Sequence, residues 1–181
     1  MNDSNLTVSI NRAPVLTLWA AVVAERLGLD EEEALTAGRA LAGLTAHAKG
    51  VRLGIFDPSS QSVSEHRKSL PNGEVTTIGL MGRAIPMVHT PEGLRAVAKE
   101  QPIKVQAVRK YLTSKFGADL DPVRGAMKHL ADSMLPKDLA DHAFRLYENF
   151  RPSVKSGAEG WGQEGKLSVA QIRKLAGHKG D

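Results

Sequence analysis

The sequence contains no cysteine, which excludes disulfides, thiolate zinc sites, iron–sulfur clusters and cysteine nucleophiles together. That absence suits a reducing compartment, and a cytoplasmic location is expected. Aromatic residues are scarce, at 4% of 181 residues, so the core must be built from aliphatic side chains. The longest apolar run, within residues 15–24 and broken only by Thr17, falls short of the roughly 20 residues that span a bilayer. No membrane partner is expected. Residues 1–10 carry Asp3 and several polar residues in place of the basic start of a secretory signal. Neither a Gly-x-Ser-x-Gly elbow for a serine nucleophile nor a Walker-type phosphate loop occurs.

What is present is enough for one substantial core. Hydrophobic residues make up 41% and charged residues 24%, and the formal net charge is +4. The charge is unevenly placed. Residues 1–49 hold four Arg or Lys against six Asp or Glu, and residues 50–181 hold twenty against fourteen. The mild basic excess is therefore C-terminal.

Helix punctuation organises the chain. Pro14 suits a first turn and Gly28 a stop, predicting a helix over 14–27. Asp30 with Glu33 three residues on predicts a capped second helix reaching about residue 48. Residues 51–56 read as a strand, 57–73 as a polar surface loop, and 74–78 with 84–88 as a hairpin whose Pro86 confines its strand to an edge. Thr90-Pro91-Glu92 predicts a helix through Lys99. Val105, Val108, Leu112 and Phe116 recur at helical spacing, a further helix opens at Asp121-Pro122, and Leu139, Ala143, Leu146 and Phe150 stripe another. The class expected is α+β, predominantly α-helical. A helical body over 1–152 carries a small antiparallel sheet or hairpin near 51–88, and residues 153–181 form a glycine-rich linker and a loosely attached C-terminal helix.

Residues 23–29, Val-Ala-Glu-Arg-Leu-Gly-Leu, place Ala24 four residues before Gly28 between two helices. Over about 20 residues this spacing resembles the bihelical core of bacterial DNA-binding domains, with Ala24, Leu27 and Gly28 at the matching positions. The resemblance implies a second helix that approaches DNA, yet that helix opens with Asp30, Glu31, Glu32 and Glu33. Four carboxylates repel phosphates, and a plain helical hairpin is the better expectation.

The densest basic region is Arg109, Lys110, Lys115, Arg124 and Lys128, with Tyr111 as a ring able to stack on bases and Phe116 assigned to the core stripe. Arg67 and Lys68, in the serine-rich loop, are auxiliary phosphate contacts. Arg39, His47, Lys49 and Arg52 are a further set able to meet a phosphate or an acidic ligand. The six histidines show no pair at metal-ligand helical spacing, so no metal and no cofactor are expected. His129, Asp132, Asp138 and His142 are the acid–base groups an enzyme would draw on, provided that they converge. Trp161, among four glycines, reads as an anchor for the C-terminal tail, whereas Trp19 belongs to the core. The leading expectation is a small cytoplasmic binding or regulatory protein that contacts nucleic acid through its basic region by backbone electrostatics. The alternatives are a protein-interaction module or homodimer, marked by exposed apolar surface, and an uncharacterised enzyme.

Overall fold

A computed structural model describes residues 6–52, 75–98, 101–154 and 163–180. Arg67, Lys68 and Trp161 lie outside the described residues. The elements run β1 (Thr7–Ile10), α1 (Arg12–Arg26), α2 (Glu31–Arg52), β2 (Val75–Leu80), β3 (Arg83–Thr90), β4 (Gly93–Ala98), β5 (Gln101–Pro102), α3 (Val105–Phe116), a 3-10 turn (Gly117–Asp119), α4 (Leu120–Asp132), α5 (Pro136–Phe150), β6 (Gly165–Ser168) and α6 (Val169–Gly180). The fold is α+β with helix predominant, as the sequence predicts.

α1 is the centre of the core because it is apolar on every side. All of its residues from Pro14 to Ala24 are buried. Trp19 is fully buried, and its indole N–H donates to the Ala143 carbonyl of α5 at 2.9 Å. Its ring meets Phe150 edge-on at 5.3 Å. The helix ends where Gly28, at φ +120°, permits a turn that most residues resist. There Leu29 N–H bonds back to Ala24 and Gly28 N–H to Glu25, the Schellman arrangement.

α2 begins with the predicted reciprocal cap. Glu33 N–H donates to Asp30 Oδ1 at 2.8 Å, and Asp30 N–H to Glu33 Oε1 at 3.2 Å. α1 and α2 then lie antiparallel along their length. Gly38 makes the closest approach, since a Cβ there would stand 2.5 Å from the Thr17 carbonyl oxygen. This close packing of consecutive helices joined by a glycine turn is a helical hairpin. α2 continues to Arg52, so residues 51–52 are helix and not the start of a strand; one interior glycine costs only about 1 kcal/mol against alanine and does not end a packed helix.

The four-stranded antiparallel sheet has the order β2-β3-β4-β5. The predicted β2–β3 hairpin is present, and its two loop residues, Met81 and Gly82, both have positive φ (51° and 81°), as a type I′ turn requires. Two expectations are corrected here. Residues 93–98 form β4 and not a helix, because Thr90-Pro91-Glu92 makes a second hairpin turn. Thr90 Oγ1 donates to the Gly93 carbonyl at 2.7 Å and accepts from Glu92 N–H at 3.2 Å, and Gly93 takes φ +131°. β3 is also an interior strand: Arg83–Val88 pair with β2 and Met87–Thr90 with β4, so Met87 and Val88 are paired on both sides, while Pro86 faces only Thr77 of β2. The proline has no N–H to offer a second neighbour, and the β3–β4 ladder begins one residue beyond it. The sheet is bound to α2 through Ala96 N–H to Thr36 Oγ1 at 3.0 Å and Arg83 Nε to Thr45 Oγ1 at 2.9 Å.

α3 buries Val105, Val108, Leu112 and Phe116, the predicted stripe. α5 buries Leu139, Ala143, Tyr147 and Phe150; Tyr147 takes the place expected for Leu146, which sits half-buried at the flank. α6 is attached more firmly than the sequence suggests. β6 pairs antiparallel with β1 from Thr7↔Ser168 to Ile10↔Gly165, and Leu167, Val169 and Ile172 are fully buried. Gly165 passes so close to the Ser153 carbonyl that any Cβ there would overlap it.

Candidate functional site

The residues expected to meet nucleic acid are brought near the acidic start of α2. Arg124 of α4 bonds Glu31 at 3.0 Å and lies 3.8 Å from Glu25 at the end of α1, and Lys128 lies 3.6 Å from Glu25. Arg109 of α3 stands 3.8 Å from both Glu31 and Glu32. Its Nε is buried without a hydrogen-bond partner among the described residues. This seam borders a cavity of about 180 Å³ floored by Leu18, Val22 and Leu112. The acids that argued against DNA at α2 are thus partners of two of the five basic residues, and Glu25 of α1 faces a third, Lys128. Lys110 and Lys115 are exposed on α3. Tyr111 lies under the Arg39 guanidinium at 4.5 Å, so one face of its ring is already occupied; burial raises its hydroxyl pKa, and Arg39 opposes that rise.

The acid–base candidates do not assemble. His129, Asp132 and His142 are exposed. Asp132 stands 3.8 Å from Arg26, and His142 Nδ1 is 2.9 Å from the backbone oxygen of Asp138. None of the four lines either of the two cavities described here. Among the described residues no cluster of three or more His, Asp or Glu is placed to hold a metal, and no helix is long and apolar enough to cross a membrane.

A second cavity, of about 260 Å³, lies between the start of α1, the later turns of α2 and the end of α5. Ala13, Leu16, Ala42, Ala46 and Val154 make its apolar wall, and Arg12, Lys49 and Arg151 stand at it, with no carboxylate among the described lining residues. Pro14 starts α1 with Arg12 at the first helical position, and Pro152 follows the α5 cap, so each arginine sits at a helix boundary. Arg12 Nε donates to the Pro152 carbonyl at 2.7 Å, tying the two ends together. Arg151 lies over the Tyr147 ring at 5.5 Å.

The electrostatics record the crowding of cations. Burial lowers the Arg12 pKa, and the charge of Arg151 lowers it further. Burial pushes the Tyr147 hydroxyl up to about 12, against the pull of Arg151 and Arg12, so it stays protonated near neutrality. Of Arg39, His47 and Lys49, Lys49 lines this cavity and Arg39 is turned to Tyr111; the Arg52 side chain lies outside the described residues. Sequence reasoning misses Arg12, Tyr147 and Arg151. The one local signal is a cation beside a proline at a helix boundary, in Arg12-Ala13-Pro14 and Arg151-Pro152.

No family model matches the chain, and neither a curated protein nor a solved structure does. The cavity has the form of a small-molecule site, a largely apolar concavity with a few convergent polar groups.

Proposed function

We propose that this is a small cytoplasmic binding protein whose ligand is an anionic small molecule with an apolar body, held at Arg12, Lys49 and Arg151. The observation that carries the reading is the pair Arg12 and Arg151 at an apolar cavity of about 260 Å³, with no carboxylate among its described lining residues. The charge of Arg151 lowers the Arg12 pKa, and a bound anion would relieve that repulsion. The absence of cysteine suits the reducing compartment assigned here.

Contact with nucleic acid through residues 109–128 draws less support, because Arg109, Arg124 and Lys128 already face Glu25, Glu31 and Glu32. Self-association through an apolar face draws little as well. Among the described residues Leu135, 69% exposed, is the one large hydrophobic side chain standing in solvent, and a lone side chain is no interface.

Calorimetric titration with octanoate and benzoate, set against octanol and benzyl alcohol, tests the reading. Anions are expected to bind and their neutral analogues not to, with binding lost in Arg151→Ala. Equal behaviour of anions and neutral analogues, or binding untouched by Arg151→Ala, defeats it.

A further inference from the structure

Three separate passages of the chain meet at the rim of the second cavity. Asn11 and Arg12 follow directly on β1, Arg151 and Val154 flank the segment that leaves α5, and Gln163 stands just ahead of β6; all five line the cavity. The passages are joined to one another in a closed circuit. Arg12 Nε donates to the Pro152 carbonyl at 2.7 Å. Gly165, the first residue of β6, lies against the same segment: a Cβ there would meet Pro152 Cβ at 3.0 Å and overlap the Ser153 carbonyl oxygen. Gly165 in turn pairs with Ile10, the last residue of β1, and the chain runs on from Ile10 to Arg12.

The circuit has one weak link. β1 and β6 form a sheet of only two strands, four residues each. Such a pair is marginal by itself, and its end opens more readily than a helix in the core. One side of it is buried through Val8, Ile10 and Leu167, while Ser9 and Lys166 bond at 2.7 Å on the side that faces solvent. A ligand that touches Arg12 and Arg151 together binds the closed circuit better than the open one, and so shifts the pair towards closure. The effect is reciprocal, and loosening the pair weakens binding.

We infer, resting on the anion-binding function proposed above, that this cavity is coupled to the closure of the β1–β6 pair: an anion held at Arg12 and Arg151 clamps the C-terminal strand, with α6 behind it, onto the body of the molecule. Gly165 is the positioning residue of the device. It is not among the described lining residues, yet it sets how closely β6 approaches the segment that carries Arg151.

The test is hydrogen exchange read by mass spectrometry on the full chain, with and without the tighter-binding of benzoate and octanoate, and with the corresponding alcohol as the uncharged control. At an anion concentration of about ten times Kd, exchange in residues 7–10 and 163–168 is expected to slow by up to about tenfold. The β2–β3 hairpin should be unaffected, and the alcohol should slow neither. Gly165→Ala, whose Cβ forces β6 away from Ser153, should weaken the anion by roughly fivefold or more in calorimetric titration. Gly79→Ala is the control, because a Cβ there meets nothing within 4 Å, and it should keep the parental affinity. Anion binding with unchanged exchange in residues 7–10 and 163–168 overturns the coupling and leaves the anion-binding function standing. Equal slowing in the hairpin overturns it too, since the whole molecule is then stabilised and not this pair. So does a folded Gly165→Ala with parental affinity. Should Gly165→Ala fail to fold, the exchange measurement on the parent decides. If neither anion binds, the function and the coupling fall together.

Discussion

Arg12 donates from Nε to the carbonyl oxygen of Pro152 at 2.7 Å, across 140 residues of sequence. The bond ties the first turn of α1 to the chain leaving α5, and it holds one wall of the cationic cavity. A charged donor to a carbonyl contributes about 1.5–3 kcal/mol when well buried, and this one is half-exposed. Arg12→Met, which keeps the aliphatic stem, is therefore expected to cost about 1–2 kcal/mol. Urea denaturation measures it, and an unchanged midpoint would show that the strap does not hold the two ends together.

Gly38 sets a second expectation. Alanine is the better helix former by about 1 kcal/mol, but its Cβ would stand 2.5 Å from the Thr17 oxygen and 2.9 Å from the Ala21 nitrogen, both backbone atoms. α1 and α2 would have to separate, at a cost of about 1–3 kcal/mol beyond the propensity gain. Gly38→Ala should lower the melting temperature; a rise would mean that the helices are not in such close contact.

Tyr147 gives a pH window. An unfolded tyrosine titrates near 10, whereas burial holds the folded one at about 12. Over that interval the unfolded chain binds fewer protons than the native one, so the tyrosine's contribution is complete below about pH 10 and is lost as pH rises towards 12. The loss is on the order of 2–3 kcal/mol. Parent and Tyr147→Phe should converge in relative stability across this range, and parallel curves would remove the buried-hydroxyl explanation.

The carboxylates that face Arg109, Arg124 and Lys128 predict what their removal uncovers. Parent protein should show a shallow salt dependence on labelled duplex DNA, while Glu25→Gln with Glu31→Gln should bind more tightly at low salt. Arg109 keeps Glu32, so two released cations, Arg124 and Lys128, at about 0.9 each give a log–log slope of roughly −2. Steep binding by the parent would show that these charges are not masked and would restore nucleic acid as the partner.

Much of the helical plan is legible locally because caps and apolar periods coincide. Asp30 and Glu33, Gly28, and the stripe from Val105 to Phe116 each combine a boundary with a buried face. Thr90-Pro91-Glu92 is not legible in this way, since the same three residues open a helix or turn a hairpin. What decides between them is Gly93 at positive φ and the docking of Ala96 on Thr36 of α2, neither of which a local pattern contains. The basic region is legible as composition, but its neutralisation requires α1, α2, α3 and α4 to converge on Glu25 and Glu31. Arg12 and Arg151 are harder still: each is an ordinary surface arginine by sequence, and only the closure of the fold puts them at one cavity.

The pairing of β1 with β6 sets an order in time. Ser9 accepts from Lys166 across 157 residues, and at a synthesis rate of about 5–20 residues per second the first strand waits on the order of 10 s for its partner. Until then Val8 and Ile10 have no sheet to shelter them, and the chain must keep an apolar, strand-forming segment from pairing elsewhere. A contact this remote in sequence also slows closure. Arg12 and the Pro152 carbonyl that it bonds lie 140 residues apart, so the cationic cavity exists only after α5 has been made. A ligand that recognises it cannot guide early folding; it can bind only once α5 has packed against α1 and α2.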